Sequence, residues 1–391
     1  MKIAIIGNLA WTANEIVIGL RRAGIEADLF VGSEEYKLTF SDLHGQTELN
    51  PEWVHCLNAS NIDKTNKLFV IAQKLNLRGF RSLGSIFQLL KYDVIHAHTG
   101  ALNFSIIAWL LFVRIRIRPY LAFATGSDLT EVVQFGVGFH AKMMRDFFHR
   151  ANKTFLLNGN MVGLRKSLRL ENAEFFPFAI NEKKYTPAND TSNFSYHQGK
   201  LICYMMSNLD FGISDNKLNR NSMKCNDRFF YALDKFRKID DKIHAYVTYR
   251  GPDKENARNL VTSLQLEDYV TFLQPGTELE RIELIRKSDV ILDQFYTGGF
   301  GIGALQVLSI GKPLITYYRE ECISESYNDK LPILNAHSSK DIFNRLIELR
   351  DSNLRIEIGK YSREWILKHH SRDKVISLLI SNYNTVITQT T

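Results

Sequence analysis

Several features are scarce or missing in this chain, and each absence removes a class of function. Its 391 residues include four cysteines, Cys56, Cys203, Cys225 and Cys322. No two of them form a C-x-x-C pair, so zinc and dithiol redox sites are poorly supported, and a reducing compartment suits them. Cys203 sits in an apolar stretch and reads as a buried small hydrophobe. The longest apolar run, Phe104 to Val113, is too short to span a bilayer. The first strand-loop, Gly7-Asn8-Leu9-Ala10, lacks the G-x-G-x-x-G turn of a dinucleotide site, which argues against an NAD dehydrogenase. No Asp-x-Asp motif is present to help a metal, and no short-period repeat is visible. Lys2–Gly7 already reads as a first core strand, so no signal peptide is expected and the location is expected to be cytoplasmic.

The chain has 45% hydrophobic and 23% charged residues, an ordinary globular balance. Its formal net charge of +7 points to an anionic partner: a nucleotide sugar, a phospholipid surface or nucleic acid. Nucleic acid ranks last, because no recognition motif accompanies the charge. The run Phe104–Val113 is followed by Arg114-Ile115-Arg116-Ile117-Arg118. A buried helix with a basic end is the plainer reading. An interfacial patch that meets anionic lipid is the other.

The length suggests about two domains. Short apolar strands are expected at Lys2–Gly7, Ala27–Val31, Val94–Ala97, Tyr120–Ala124, Thr154–Leu157 and Glu174–Phe178. A second series is expected at Leu201–Met206, Ile243–Tyr249, Val270–Leu273, Val290–Asp293 and Pro313–Tyr317. Thr12 and Glu15 fit a capping box for the first helix, and Gly24 stops it. Helices are expected late in the chain at Ser339–Arg350 and Arg372–Ile387. Alternating strands and helices imply parallel sheets covered on both faces. The expected fold class is α/β, with two tandem Rossmann-like doubly wound domains facing a central cleft. The expected boundaries are 1–180 for the first domain, 181–199 for a polar linker and 200–370 for the second domain. Residues 371–391 are expected to form a helix crossing back to the first domain. The polar stretch Asn208–Met223 reads as a mobile loop.

The most informative stretch is Leu292 to Pro313. It reads as strand, glycine loop, helix, glycine stop and next strand. Such a loop opens a helix with bare backbone N–H groups, and that end suits a phosphate. The amides near Gly299, Phe300 and Gly301 and the helix dipole from Ile302 onward form the expected cradle. Gln306 lies about 6 Å further along the axis, within reach of ribose hydroxyls. Tight strand–helix packing is the rival reading of the same glycines.

Other chemistry-bearing residues fall at expected strand ends. Thr125-Gly126-Ser127-Asp128 opens a helix; Asp128 either accepts substrate hydroxyls or caps that helix, as Ser127 also could. His96 and His98 alternate onto one face of a strand, as substrate contacts or as satisfied core residues. Lys224 and Arg228 start a helix, where a cation meets developing phosphate charge or simply faces solvent; Arg220 would reinforce them. Asn8 and Trp11 lie in the first strand-loop, where Trp11 either stacks on a sugar or lipid or packs between loops.

Taken together, Leu292-Asp293-Gln294-Phe295, Gly298-Gly299-Phe300-Gly301 and Ala304-Leu305-Gln306-Val307-Leu308-Ser309-Ile310-Gly311-Lys312-Pro313 resemble the nucleotide-sugar signature of GT-B fold glycosyltransferases, in glycosyltransferase family 4. Asp93-Val94-Ile95-His96-Ala97-His98, Thr125-Gly126-Ser127-Asp128, Lys224-Cys225-Asn226-Asp227 and Gly251-Pro252-Asp253 extend the resemblance over nearly the whole chain. It implies a retaining, metal-independent transferase of hexosyltransferase type that uses no cofactor. The donor would be a nucleotide-diphosphate sugar, UDP- or GDP-linked. The acceptor would be a saccharide or lipid-linked saccharide of bacterial surface polysaccharide. That implies work at the inner face of the cytoplasmic membrane. Catalytic roles fall on Lys224, Asp128, Thr125 and His98. Donor binding falls on Gly299, Phe300, Gly301, Ile302, Gln306 and Arg228. The acceptor side falls on Asn8, Trp11, His96 and Ser127.

The sequence departs from the family pattern at three places. Gly298 and Gln306 stand where glutamates are usual, and Thr125 stands where a histidine is usual. Gln306 still donates and accepts hydrogen bonds but forms no charge-assisted one. Two rival readings remain: a sugar-nucleotide epimerase, and a catalytically silent GT-B protein that binds a nucleotide or a partner.

Overall fold

The computed structural model of the chain describes residues 1–8, 12–32, 36, 48–57, 83–188, 199–212 and 223–389. They divide into two compact units, Met1–Ala179 with Arg372–Thr391, and Ile180–Ser371. Trp11, Arg220 and most of the expected loop at 208–223 lie outside the described residues.

The first unit holds a seven-stranded sheet of β1 (Lys2–Ile6), β2 (Glu26–Val31), β3 (Val54–Cys56), β4 (Val94–His98), β5 (Tyr120–Ala124), β6 (Lys153–Leu156) and β7 (Ala173–Phe175), in the order β3-β2-β1-β4-β5-β6-β7. The second holds β8 (Leu201–Met205), β9 (Ile243–Thr248), β10 (Val270–Leu273), β11 (Val290–Leu292), β12 (Leu314–Thr316) and β13 (Leu334–Asn335), in the order β10-β9-β8-β11-β12-β13. Every strand pair is parallel. Strands such as β4, β5, β8 and β11 are buried at every residue, because helices cover both faces of a doubly wound sheet. This is the expected fold class.

Two strands were not expected, β3 and β13. They have three and two residues, too few to show a period. The helix Ser352–His369 was not expected either. It buries only Gly359, Ser362, Trp365 and Ile366, so its sequence carries a thin apolar stripe. Gly7, expected inside the first strand, instead turns the chain at φ 84°. Residues 181–188, read in sequence as linker, belong to the second unit. Arg363 ties them down, donating to the carbonyls of Tyr185 (2.8 Å) and Glu182 (2.9 Å).

Helix α1 (Thr12–Arg22) follows β1, and the C-terminal helix Arg372–Thr388 packs on it. Ile376 fills the space beside Gly19, where a Cβ would stand 2.4 Å from its Cγ1. Buried Arg372 donates to Glu15 (2.9 Å) and Glu48 (3.2 Å). The carboxylate of Glu15, read in sequence as half of a capping box, thus serves the last helix of the chain.

In the second unit the helix Ile302–Ile310 ends at Gly311, which is left-handed at φ 76°. Gly359 of the helix Ser352–His369 meets it so closely that a Cβ there would lie 2.3 Å from the Gly311 carbonyl oxygen. A backbone oxygen cannot step aside as a side-chain tip can. Gly359→Ala is therefore expected to lower unfolding free energy by about 1–3 kcal/mol in urea titration. Gly84→Ala, where nothing lies within 4 Å, should change it little.

Candidate functional site

One side chain shapes the loop that precedes the helix Ile302–Ile310. Gln294 is buried, just beyond the end of β11. Its Nε2 donates to the carbonyls of Gly299 (2.7 Å) and Tyr317 (2.8 Å). Its Oε1 accepts from the amides of Tyr296 (2.9 Å) and Thr297 (2.7 Å). All four hydrogen-bonding positions of the amide are engaged. Phe300 adds a second anchor. Its ring is buried and stacks 6.4 Å from Tyr327, whose hydroxyl bonds His370 at 2.8 Å. Held at both points, the loop leaves the N–H groups of Phe300, Gly301 and Ile302 without a partner among the described residues. They form the electropositive end of the helix.

Lys224 and Arg228 both attach to this loop at Phe295. The Lys224 carbonyl accepts from the Phe295 amide (2.8 Å), and Arg228 Nη1 donates to the Phe295 carbonyl (2.8 Å) and to that of His337 (2.6 Å). Between them Cys225 takes a left-handed backbone at φ 49°, uncommon outside glycine. Such strain persists where surrounding bonds enforce it. Buried Asn226 does so here, accepting from the Asp210 amide (3.1 Å) and donating to the Asn208 carbonyl (2.8 Å) and Ser207 Oγ (3.2 Å). Asp293 lies beside Lys224. Burial raises its carboxyl pKa, and the positive charge of Lys224 pulls it back down. The Lys224 ammonium makes no ion pair among the described residues.

A cavity of about 430 Å³ opens over the carboxyl ends of β8, β9 and β10, lined by Tyr204, Met206, Thr248, Arg250 and Arg281 among others. The Met206 methyl lies 3.5 Å from where a Cβ on Gly303 would stand, so the cavity adjoins the first turn of the helix. Gln306 is turned to other work than an open ligand contact. Its Oε1 accepts from Arg281 Nη2 (2.8 Å) and its Nε2 donates to the Tyr185 hydroxyl (2.8 Å). Tyr185 and Lys184 in turn both bond Glu278. Gln306 thereby steers Arg281, which lines the cavity.

In the first unit, Asn8, Thr125, His96 and His98 collect at the carboxyl ends of β1, β4 and β5. The Asp128 carboxylate accepts from the amides of Gly126 (2.8 Å), Leu129 (2.9 Å) and Thr125 (3.2 Å). Burial raises its pKa, and those bonds oppose the rise. The carboxylate thus holds its own turn, while Ser127 is exposed and makes no capping bond. Asn8 Nδ2 donates to Asn14 Oδ1 (2.8 Å). His96 and His98 are fully buried and stack 4.7 Å apart, and His96 Nδ1 lies 2.6 Å from the hydroxyl of Tyr383 on the C-terminal helix. Neither ring nitrogen of His98, nor Thr125 Oγ1, has a partner among the described residues.

Gln294, Asp293, Arg281 and Arg319 received no role from the sequence. For Gln294 a signal was present: an amide directly after a fully apolar strand must find partners when buried.

Burial drives the His98 pKa down to about 3 and that of His96 well below its usual value, the second helped by the neighbouring ring. Both rings are neutral in the folded state. The unfolded chain takes up their protons below about pH 6.5, so stability should fall as pH drops from there towards 3. Denaturant titration across that range should show the slope, and His98→Asn should flatten it.

Two doubly wound parallel sheets in tandem, each built as its own unit, are the GT-B fold. Residues 220–365 match the family model described as Glycosyl transferases group 1. The second unit therefore carries a group 1 glycosyltransferase domain. No curated protein matches the sequence. Among solved structures, the chain is similar to sucrose-phosphate synthase from Thermosynechococcus elongatus, with 14% identity, 100% of each chain covered and a TM-score of 0.69. It is similar to Anabaena Alr3699/HepE, solved in complex with UDP-glucose, with 13% identity, 98% of this chain and 100% of that one covered and a TM-score of 0.69. A putative UDP-N-acetylglucosamine 2-epimerase from Listeria monocytogenes is also similar, with 9% identity, 99% and 97% covered and a TM-score of 0.60. At these identities the likeness establishes the fold.

Proposed function

We propose that the protein is a retaining glycosyltransferase that moves a sugar from a UDP- or GDP-linked donor to a saccharide or lipid-linked saccharide in bacterial surface polysaccharide synthesis. The bare N-terminus of the helix Ile302–Ile310, with Lys224 beside it, carries this reading. When the bond from the anomeric carbon to the diphosphate breaks, negative charge grows on the leaving oxygen. Fixed amide dipoles and an ammonium stabilise that charge without reorganising. In this reading they make a resident metal unnecessary. The adjoining cavity of about 430 Å³ suits the nucleoside, with Arg281 facing it from the Gln306 bond. The acceptor is assigned to the first unit, at the strand ends that carry Asn8, Thr125 and His98. The family-4 resemblance supports retention and the acceptor class.

The epimerase reading draws on the fold likeness to the Listeria protein. The silent-protein reading draws on the missing glutamate and histidine, at Gly298 and Thr125. Product analysis separates the three: transfer, isomerisation, or binding without turnover. A thermal-shift panel of UDP- and GDP-sugars should raise the melting temperature for at least one donor. With that donor, Lys224→Ala should lower transfer by about a hundredfold or more. Near-normal transfer in the variant would remove Lys224 from the mechanism.

A peripheral membrane location on the cytoplasmic side belongs to the same proposal. Leu110, Ile115, Phe135, Val137 and Phe139 are exposed, Val137 to 91%. Buried Trp109 lies beneath them: the Phe139 ring is 5.7 Å from it and the Arg114 guanidinium 5.7 Å above it. Exposed Arg116 and Lys142 flank the group. No helix among the described residues is long and apolar enough to cross a membrane. Apolar side chains rimmed by cations suit an anionic bilayer surface. The protein should co-sediment with phosphatidylglycerol-containing vesicles but not with pure phosphatidylcholine. The double variant Val137→Ser, Phe139→Ser should stay in the supernatant.

A further inference from the structure

We propose that the donor carries an acidic sugar, a hexuronate or another carboxylate-bearing hexose, and that Arg319 is the residue that reads its carboxylate. The inference rests on the donor-site reading above and deepens it.

The sheet order sets the direction of the bound donor. The cavity lies over β8, β9 and β10, and the helix with the bare amides follows β11. A nucleoside in the cavity and a diphosphate at the amides leave the sugar to extend over the next strand, β12. Arg319 follows β12 at that place, and its amide donates to the Gly298 carbonyl (3.0 Å).

The side chain of Arg319 lies flat against Gly298. A Cβ on residue 298 would stand 2.7 Å from Arg319 Nε and 2.9 Å from its Cγ, and the glycine is left-handed at φ 75°. Any side chain at 298 would displace the guanidinium and strain the backbone. Glycine there keeps the cation in place.

The loop that Arg319 lies against carries little acid, while Glu320, Glu321 and Glu325 belong to the chain that follows it. Between residues 293 and 301 the only acidic side chain is Asp293, and the positive charge it feels is that of Lys224. Arg319 is exposed and makes no hydrogen bond or ion pair through its side chain among the described residues, although Glu320 and Glu321 follow it in the chain. Lys224 joins the loop near its start, at Phe295, and the bare amides lie at its end, where the donor-site reading puts the diphosphate. The additional cation sits beyond them, on the sugar side. A planar guanidinium there matches a carboxylate through two parallel hydrogen bonds. A neutral hexose offers it only hydroxyls.

The test compares binding of UDP, GDP, UDP-glucose, UDP-glucuronate, GDP-mannose and GDP-mannuronate to the wild type, Arg319→Ala and Arg319→Gln by calorimetry. Within the nucleotide series that binds, the uronate should bind the wild type about tenfold or more tightly than the neutral sugar, a gap of about 1.4 kcal/mol. Both variants should erase that gap while binding the bare nucleoside diphosphate as the wild type does. Equal or tighter binding of the neutral sugar would overturn the proposal, as would a preference that survives in Arg319→Ala. A loss of bare nucleoside diphosphate affinity in the variants would assign Arg319 to the diphosphate and overturn it as well. Failure of both UDP and GDP to bind the wild type would overturn the donor-site reading itself, and this proposal with it.

Discussion

The four hydrogen bonds of the Gln294 amide are the constraint on which the loop before the helix Ile302–Ile310 depends. A loop that must present free N–H groups cannot be held by those same groups. Its shape has to come from elsewhere, and here a single buried side chain bonds two carbonyls and two amides that the ligand does not need. The bond to Tyr317 reaches across to the strand-end beyond β12, so the loop and the backbone leading into Arg319 share one anchor. Lys224 joins the loop at Phe295 by a backbone bond, and Arg228 joins it there by its guanidinium, so both cationic residues are tied to one point of the loop.

Much of this fold was legible because its signals are local and repeated. Apolar strands of four to six residues, punctuated by glycine and followed by amphipathic helices, mark a doubly wound sheet without any knowledge of long-range contacts. The glycine stretch from 298 to 311 likewise shows its helix start and stop in the residues themselves. Illegible parts were those decided by partners far away in the chain. Glu15 reads as a local cap, and nothing nearby in the sequence shows that it also bonds Arg372, 357 positions later. Gln306 looked like a ribose contact, yet Tyr185, from a segment read as linker, takes one end of its amide. His96 and His98 carried the right alternation for a shared face, but only the packing of Phe123 and Tyr383 shows how completely they are enclosed.

Both positions where glutamates are usual have their own physical logic. Gln306 keeps the shape of glutamate and gives up the charge; its oxygen accepts from Arg281 while its NH2 donates to the Tyr185 hydroxyl, whose own proton goes to Glu278, and a carboxylate has no proton for that hydroxyl. Gly298 gives up the side chain altogether, and Arg319 occupies the freed space. The loop and helix therefore carry fewer carboxylates than the family pattern, which in the proposed reading leaves more room for negative charge on the ligand. A loss of two acidic groups need not mean a loss of activity; it also describes a site retuned for a more anionic molecule.

The chain enters the second unit at Ile180, leaves it at Ser371, and finishes in the first. The first unit is thus interrupted, while the second is continuous. During synthesis the second unit has all of its residues before the ribosome has made the helix Arg372–Thr388. The first unit must wait for that helix to supply Tyr383 against His96 and Ile376 against Gly19. The order of folding on the ribosome is then inverted relative to the usual N-terminal-first rule. The second unit can close its core while the first still lacks one wall.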